Sequence, residues 1–222
     1  MLVLALDTAT PAVTAGIVEL TEARPPDAAP AAIASLATRI TVDSRAHAEV
    51  LTPQILECLD EIGRKPADLD AVVVGVGPGP FTGLRVGMAT GAAFGDAIEV
   101  PVYGVCSLDA IAADVGGERD LLVVTDARRR EVYWAAYSGG HRVLGPGVCT
   151  PANLDIGTAR VIAGSASHVD FFDLPVEPVE TPSPHGLVHC AREQLLAGTA
   201  PEPLVPLYLR RPDAVERTVV AR

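Results

Sequence analysis

The sequence has too few basic residues for a protein that binds nucleic acid by itself. It contains 222 residues, with 17 Lys and Arg against 28 Asp and Glu, and its formal net charge is −11. Proteins that bind a phosphate backbone alone need a basic patch that displaces its counterions. An acidic chain is repelled by the same phosphates. We therefore expect any role on RNA to run through a partner protein.

Paired cysteines are also missing. The four cysteines are widely spaced and form no Cys-x-x-Cys motif: Cys58, Cys106, Cys149 and Cys190. The N-terminal segment reaches Asp7 without the basic stretch that begins a secretory signal. Disulfide frameworks have denser and more regular cysteine spacing than this chain. These features predict a reduced, cytoplasmic protein.

No uninterrupted apolar run is long enough to cross a bilayer. The most apolar stretch, residues 71–98, is broken by prolines and charges: Pro78, Pro80, Arg85 and Asp96. A membrane-spanning helix needs about 20 consecutive apolar residues. We therefore predict no membrane segment. With 49% hydrophobic residues, the chain can bury the core of one large domain or of two small lobes.

Apolar periodicity in the first half of the chain predicts an α/β fold. The predicted order is strands at residues 2–6, 13–20 and 33–42, a helix at 46–62, a strand at 71–76, a helix at 82–97 and a strand at 101–105. This βββαβαβ order is typical of a mixed sheet with helices on its faces.

The second half of the chain begins like the first. Placing Asp126 over Asp7 aligns the apolar runs before them, so both halves start with strand, aspartate, turn and strand. Self-similarity of this kind is typical of duplicated units. We interpret residues 1–103 as one lobe and residues 104–222 as a shorter, eroded copy. The copy is predicted to contain a possible helix after Pro151, a strand at 161–163, a helix at 183–196 and a tail at 204–211.

Asp7, Thr8 and Thr10 lie in the predicted turn between the first two strands. A carboxylate and two hydroxyls beside backbone N–H groups can form a corner that holds a phosphate or a metal ion. The same residue types are also ordinary turn residues, and the pattern alone favours that simpler interpretation.

Glycines mark the segment around the second helix. Gly77–Gly83 forms a turn before the helix N-terminus, where an anion is favoured, although a rigid structural elbow explains the glycines equally well. Four glycines then recur every fourth residue on one helix face: Gly83, Gly87, Gly91 and Gly95. An interior glycine costs about 1 kcal/mol relative to alanine, so we expect this stripe to admit a closely packed neighbour. That neighbour is either this chain's own first helix or a helix of another subunit.

Other polar clusters give weaker signals. His185 and His189 have the spacing of a helical metal pair, but a zinc site needs a third ligand, and we predict no metal site. The charged run Arg128–Arg130 is interpreted as a solvated hairpin tip. No Ser/His/Asp or Cys/His constellation is evident, so no catalytic residue is predicted.

Five segments spread over nearly the whole chain carry a family resemblance. They are Leu4-Ala5-Leu6-Asp7-Thr8, His47-x-Glu49-x-Leu51-x-Pro53, Gly75-Val76-Gly77-Pro78-Gly79-Pro80-Phe81-Thr82-Gly83-Leu84-Arg85-Val86-Gly87, Asp126-Ala127-Arg128-Arg129-x-Glu131-Val132-Tyr133 and Tyr208-Leu209-Arg210. Together they resemble the bacterial TsaB family, a catalytically degenerate branch of the TsaD or glycoprotease-like proteins. The glycine-rich segment is the most specific. The resemblance implies a two-lobed, actin-like and sugar-kinase-like (RNase H-like) α/β fold with mixed sheets and a reduced second lobe.

The resemblance also implies a role in the machinery that installs threonylcarbamoyl on the adenosine beside the anticodon of certain tRNAs. In the transferase of that machinery, TsaD, a His-x-x-x-His pair holds a metal ion just after the strand that follows the glycine-rich helix. Ser107 and Ile111 stand at those positions here, and they cannot replace imidazole ligands. The segment Ala163–Ala166 has one glycine where a nucleotide-binding lobe has a glycine-rich loop. The resemblance therefore implies neither a cofactor nor catalysis by this chain.

Proteins of the TsaB family act as scaffolds. The resemblance implies that this chain binds TsaD through the two helices of its first lobe, that TsaE joins the assembly, and that tRNA is reached only indirectly. The predicted partner interface consists of Leu51, Ile55, Leu59, Gly83, Gly87, Gly91 and Gly95. Without the partner, this apolar surface is expected to self-associate, so we predict a homodimer for the isolated chain.

The sequence leaves two other functions open. A degenerate metallopeptidase-like activity would need bound zinc, which the missing histidine pair disfavours. A small-molecule kinase with an actin-like fold would use Asp7 as a base or metal ligand, which the eroded second lobe disfavours.

Overall fold

A computed structural model describes residues 1–22, 32–43 and 46–210, which fold around two mixed β-sheets. The first half contains β1 (Leu2–Asp7), β2 (Ala12–Thr21), β3 (Ala32–Val42), α1 (His47–Glu61), β4 (Ala71–Gly75), α2 (Phe81–Ile98), β5 (Val102–Val105) and α3 (Ser107–Val115). The second half contains β6 (Leu121–Asp126), β7 (Val132–Ser138), β8 (His141–Cys149), β9 (Val161–Gly164), α4 (Ala166–Val169) and α5 (Pro184–Ala197). The predicted α/β class and the βββαβαβ order are confirmed. The possible helix after Pro151 is only a short 3-10 turn, Pro151–Asn153.

The first sheet has the strand order β3-β2-β1-β4-β5. Its central strand β1 pairs antiparallel with β2 and parallel with β4. Leu4 and Leu6 of β1 pack under α1 and α2, whereas Val3 and Ala5 point to the opposite face, under α5. Because helices cover both faces, β1 is a continuous apolar run in the sequence and shows no polar alternation.

The second sheet repeats the central pairings of the first, with the order β8-β7-β6-β9. β6 pairs antiparallel with β7 and parallel with β9, as β1 does with β2 and β4. It ends at Asp126 as β1 ends at Asp7. The alignment of those two aspartates therefore predicted a repeat of strands that is present in the fold. Two mixed sheets of this kind are the architecture of actin-like proteins.

Helix α5 corrects the predicted division into lobes. It follows the second sheet in the sequence, yet its Leu187 and Ala191 pack with Val3 and Ala5 of the first sheet. The predicted boundary at residue 103 falls inside β5 (Val102–Val105) of the first sheet, and the described residues after it, 104–210, do not form a separate packing unit. No helix in the described ranges is long and apolar enough to span a membrane.

The glycine stripe of α2 lies against this chain's own first sheet. A Cβ atom added at Gly87 would collide with Thr8, one at Gly91 with Val74 and one at Gly95 with Val102. Near the start of the helix, Gly83 faces the carbonyl oxygen of Thr8 at 2.8 Å from the position of an added Cβ. The missing side chains thus let α2 approach the strands closely.

This packing corrects the predicted partner interface. Leu51, Ile55 and Leu59 of α1 are buried in the same core. The four stripe residues, Gly83, Gly87, Gly91 and Gly95, are buried as well. Since these seven residues are buried within this chain, they do not form an outward-facing surface in this fold.

Candidate functional site

Two hairpin turns face a cleft between the two sheets. The first joins β1 to β2 and contains Thr10 and Pro11, which line two neighbouring cavities of about 260 Å³ each. The second joins β6 to β7. The Arg128 cavity is lined by Thr8, Thr10, His47, Pro80, Thr82 and Arg128, among others. The Thr125 cavity is lined by Thr125, Asp126, Ser165, Ser167, Glu180 and Thr181, among others.

Asp7 is enclosed below the cleft and lines neither cavity. Its Oδ1 accepts a hydrogen bond from the backbone N–H of Ala9 at 2.9 Å, and its Oδ2 accepts one from the Ser107 hydroxyl at 2.5 Å. A side chain at Gly75 would collide with this carboxyl group, so the glycine makes room for it. Burial raises the pKa of Asp7 above its ordinary value of 3.8, although both hydrogen bonds and nearby His47 act in the opposite direction.

The two predicted threonines lie near Asp7 but serve the backbone. The Thr8 hydroxyl donates to the carbonyl oxygen of Gly83 at 2.7 Å and accepts from the N–H of Gly87 at 2.9 Å. It thus ties the β1–β2 turn to the first turns of α2. Thr10 Oγ1 accepts from the N–H of Ala12 at 3.2 Å. The structure therefore brings the predicted corner together and uses its polar atoms to hold the turn.

Ser107 and Ile111 occupy the first turns of α3. The Ser107 hydroxyl donates to Asp7 and accepts from the backbone N–H of Gly77 at 3.2 Å. Ile111 is fully buried in the core of the second sheet. The place at which the resemblance implies a metal-binding histidine pair is thus filled by a closed hydroxyl–carboxyl contact and a hydrocarbon side chain.

The Arg128 cavity has the electrostatics of a small-anion pocket. The N-terminus of α2 faces it, and Pro80 at the N-cap provides no side-chain cap for the free N–H groups. Arg128 adds a positive charge, and both features favour an anion. His47 is buried at the same place, with its Nε2 at 3.1 Å from the carbonyl oxygen of Thr10.

The arginines of the β6–β7 turn have an unusual backbone. Arg128, Arg129 and Arg130 all have positive φ, between 52° and 64°, a region that costs L-residues roughly 1–2 kcal/mol each. The turn is held by Asp126, whose Oδ1 accepts from the N–H of Arg128 at 2.6 Å. All three arginines are exposed, which agrees with the predicted solvated hairpin tip. Arg128 also lines the cleft.

Sequence reasoning missed a Ser/His/Asp array beside the Thr125 cavity. His168 Nδ1 lies 3.1 Å from Ser165 Oγ and 3.0 Å from Ser167 Oγ, and its Nε2 lies 3.5 Å from Asp126 Oδ1. The parallel pairing of β6 with β9 brings Asp126 next to the β9–α4 turn. Both serines contact the same ring nitrogen, and all three residues lie at the start of α4, with Ser165 as its N-cap. This arrangement is typical of local turn stabilisation.

The histidine pair on α5 has no metal-site geometry. His185 Nδ1 lies 3.4 Å from Asp114 Oδ1, while the same carboxylate accepts from the N–H and hydroxyl of Ser183. Burial lowers the pKa of His189 below its ordinary value. Across the described ranges, no group of three or more His, Cys, Asp or Glu side chains could hold a metal ion.

The tail after α5 connects the two sheets and is named here the strap, residues 204–210. The N–H of Leu207 donates to the carbonyl oxygen of Val76 at 2.9 Å. Tyr208 stacks on Phe81 with a ring-centroid distance of 5.1 Å and accepts from Nε of Arg85 at 2.8 Å. The sequence identified this segment only as a tail that contains a family motif. Residue 211, the last of the predicted tail, lies outside the described residues.

Comparison with known proteins identifies relatives along most of the chain. Residues 39–180 match the family model described as TsaD: tRNA N6-adenosine threonylcarbamoyltransferase. An uncharacterized protein of Mycobacterium tuberculosis is 55% identical over 212 residues, which is 96% of this chain and 93% of the relative. The tRNA threonylcarbamoyladenosine biosynthesis protein TsaB of Escherichia coli is 34% identical over 96 residues, 42% of each chain.

A solved structure matches nearly the whole fold. YeaZ from Pseudomonas aeruginosa superposes with a TM-score of 0.75 and 26% sequence identity, over 94% of this chain and 99% of the other. The match therefore extends over both halves of the chain.

Proposed function

Because this chain belongs to the TsaD family and is TsaB-like within it, we propose that it is a non-catalytic scaffold of tRNA threonylcarbamoyladenosine biosynthesis. A role in that biosynthesis is supported by the relatives, and the scaffold role is our proposal. The chain would bind TsaD, which performs the transfer, and TsaE would join the assembly.

The contact between Ser107 and Asp7 carries the non-catalytic part of the proposal. A metal-dependent transferase needs open ligands at this place. Here the buried carboxyl group is closed by a hydroxyl at 2.5 Å, and Ile111 fills the next helical turn. The Ser107 hydroxyl is already bonded to Asp7 and the hydrocarbon side chain of Ile111 has no ligand atom, so neither residue replaces a metal-binding imidazole here. We therefore propose no cofactor and no catalytic residue for this chain.

The outward faces of α1 and α2 are the proposed surface for TsaD. The stripe glycines face inward, but the opposite face of α2 exposes four small side chains: Ala89, Ala92, Ala93 and Ala97. Leu56 on α1 and Phe81 at the start of α2 are each about half exposed, at 49% and 50%. A face with small residues lets a partner helix approach closely, and exposed large apolar residues gain from being covered. In the isolated chain the same face would form a homodimer.

Charge and thiol chemistry support an indirect role on RNA in a reducing compartment. With a net charge of −11, the chain would leave most tRNA contacts to its partners. All four cysteines are free thiols, and burial raises the pKa of Cys106 to about 11. Inert thiols of this kind suit the cytoplasm.

Light scattering coupled to size-exclusion chromatography tests the proposed surface. Ala89→Arg combined with Ala93→Arg places two long charged side chains on the outward face of α2. We expect this variant to form neither the complex with TsaD nor the homodimer, while the Tm of its thermal unfolding stays close to that of the wild type. Ala197→Arg is the matched control, because this exposed alanine ends α5 on the opposite side of the first sheet.

Two results would contradict the proposal. If the arginines on α2 leave the TsaD complex intact, the partner surface lies elsewhere. If the isolated chain shows chelator-sensitive peptide hydrolysis or substrate-dependent ATP turnover, it is an enzyme and the scaffold role is wrong.

A further inference from the structure

We propose that a surface formed by α2, the strap and the β6–β7 turn binds single-stranded RNA, as in the anticodon loop of a tRNA. This surface is named here the arginine face and consists of Arg85, Arg128, Arg130, Tyr208 and Arg210. The inference rests on the proposed role in tRNA modification and extends it, because it gives this chain a direct contact with RNA. The partners would still supply most of the affinity for tRNA, since the chain as a whole is acidic.

Contacts through Phe81 join the members of the arginine face into one surface. The guanidinium carbon of Arg85 lies 3.9 Å from the ring centroid of Phe81, and the same ring stacks on Tyr208. Two residues further along the strap, Arg210 donates to a backbone carbonyl of the β6–β7 turn. Arg128 of that turn lines the same cavity as Phe81. Because Phe81 also begins α2, the arginine face adjoins the surface proposed to bind TsaD.

The charge of the arginine face is opposite to that of the whole chain. Within the described ranges, its four guanidinium groups form ion pairs with two carboxylates, those of Asp126 and Glu131. The Arg130 side chain is exposed and has no ion-pair partner among the described residues. Arg85 is exposed as well, and its Nε donates to the neutral hydroxyl of Tyr208. An excess of positive charge at one surface favours a polyanion such as the phosphate backbone of RNA.

The backbone of the β6–β7 turn is a second reason to assign a function to its arginines. Residues Arg128–Arg130 all have positive φ, a conformation that glycine and asparagine adopt at a lower cost than arginine. Strained backbone of this kind clusters at functional sites. The turn thus has three arginines at positions where less costly residues would form the same loop. A role for their charge in binding accounts for that choice.

The ring of Tyr208 favours RNA with unpaired bases over a duplex. Phe81 covers one side of this ring, which stays 38% exposed. An exposed ring beside guanidinium groups can stack on an unpaired base, whereas the bases of a duplex are already stacked on each other. Arginine binds phosphate through parallel hydrogen bonds. A looped single strand therefore matches both parts of the arginine face, and an acidic peptide would match only the arginines.

Binding of an RNA stem-loop to the isolated full chain tests the phosphate contact. The probe is a fluorescently labelled RNA with the sequence of a tRNA anticodon stem and loop, and its anisotropy is measured over a range of salt concentrations. Arg130→Asn should weaken binding roughly fivefold at about 0.1 M salt. It should also reduce the slope of log Kd against log salt by about 0.7–0.9, which corresponds to one phosphate contact. Asparagine tolerates the left-handed backbone, so the fold should be kept.

Arg64→Asn is the matched control for Arg130→Asn. Arg64 is exposed and follows the end of α1, whereas His47 at the start of α1 lines the Arg128 cavity. The 15 residues of α1 place Arg64 about 22 Å from that cavity. Both variants change the net charge by the same amount. Arg64→Asn should therefore leave the affinity and the salt slope unchanged.

Two substitutions of Tyr208 test the base contact. Tyr208→Leu removes the ring and should weaken stem-loop binding about fivefold or more, whereas Tyr208→Phe keeps the ring and should bind like the wild type. Both variants lose the hydroxyl that accepts from Arg85, so the difference between them isolates the ring. A blunt RNA duplex of the same length should bind the wild type more weakly than the stem-loop does.

Four results would overturn the inference. Three concern RNA: no stem-loop binding at low salt up to about 1 mM protein, equal affinity in Arg130→Asn and Arg64→Asn, and a duplex that binds as tightly as the stem-loop. The fourth is a loss of TsaD or TsaE binding by Arg130→Asn without RNA, which would make the arginine face a protein interface. The stem-loop assay needs no TsaD, and complex formation is measured separately on the same samples. A failure of the arginine face and a failure of the scaffold role are therefore distinguishable.

Discussion

Asp7 illustrates how one buried side chain changes the meaning of a motif. In the sequence, a carboxylate at the end of a strand beside two threonines suggests a ligand corner. In the fold, that carboxyl group is fully buried, and its oxygens are occupied by Ala9 and Ser107. Gly75 leaves room for the carboxyl group, because a side chain at residue 75 would collide with it. A polar group enclosed in this way organises the β1–β2 turn and makes folding depend on pH.

Asp7→Asn should reduce that pH dependence. Burial raises the pKa of Asp7 above 3.8 in the folded chain, so above this pH the folded state binds more protons than the unfolded state. The contribution of Asp7 to stability therefore falls as the pH rises from about 4 towards the folded-state pKa. We expect the Tm of Asp7→Asn minus that of the wild type to increase over this window in thermal melts.

Asp70→Asn provides the comparison for Asp7→Asn. Asp70 is exposed near the other end of β1, where its carboxylate accepts from the N–H of Leu2 at 2.6 Å. This variant controls for the loss of one negative charge at an exposed position. A constant difference for Asp7→Asn would mean that its carboxyl group titrates alike in the folded and unfolded chains.

Helix α2 shows how a pattern identifies a face without identifying its neighbour. The four-residue glycine spacing correctly places these residues on one side of the helix. In the fold that side contacts Thr8, Val74 and Val102 of this chain. The outward side has small residues as well, mostly alanines, so the helix is narrow on both faces.

Gly91→Ala distinguishes the two interpretations of the stripe by the sign of its effect. On an open face, alanine would stabilise the helix by about 1 kcal/mol. Against the sheet, the added methyl group collides with Val74, so we expect a net destabilisation of about 1–3 kcal/mol. Urea unfolding of Gly91→Ala and the wild type measures the difference. A more stable variant would show that α2 does not pack closely on β4 in solution.

Local patterns predicted the elements, and contacts between distant segments supplied what the sequence could not. The two hairpins whose first strands end at Asp7 and Asp126 were predictable because strand, turn and strand are adjacent in the chain. The return of α5 to the first sheet was not, since its local sequence shows only an apolar face and does not specify the sheet that covers it. The contact of His168 with Asp126 depends on the parallel pairing of β6 and β9, which no local signal encodes.

The whole molecule is held together across the cleft by the strap. Leu207 packs in the core of the first sheet and in that of the second. Arg210 then reaches the β6–β7 turn, where its guanidinium donates to the carbonyl oxygen of Ala127 at 2.7 Å and pairs with Glu131 at 3.2 Å. That turn contains three arginines with left-handed backbone, so contacts from outside the turn help to hold it. Helix α2 belongs to the surface proposed to bind TsaD, and Phe81 at its start stacks on Tyr208 of the strap. The strap thus links this surface to the cleft.

Arg210→Ala should therefore loosen the cleft more than it destabilises the fold. A hydrogen bond from a charged group contributes about 1.5–3 kcal/mol when partly buried, so unfolding should become easier by an amount within or below that range. The larger effect should be faster hydrogen exchange at the Glu131 amide, whose bond to the carbonyl oxygen of Arg128 closes the turn. Arg119→Ala removes a more exposed ion pair with Glu177 within the second half of the chain and should leave that exchange unchanged. Equal exchange in Arg210→Ala and wild type would mean that the turn keeps its left-handed backbone without the strap.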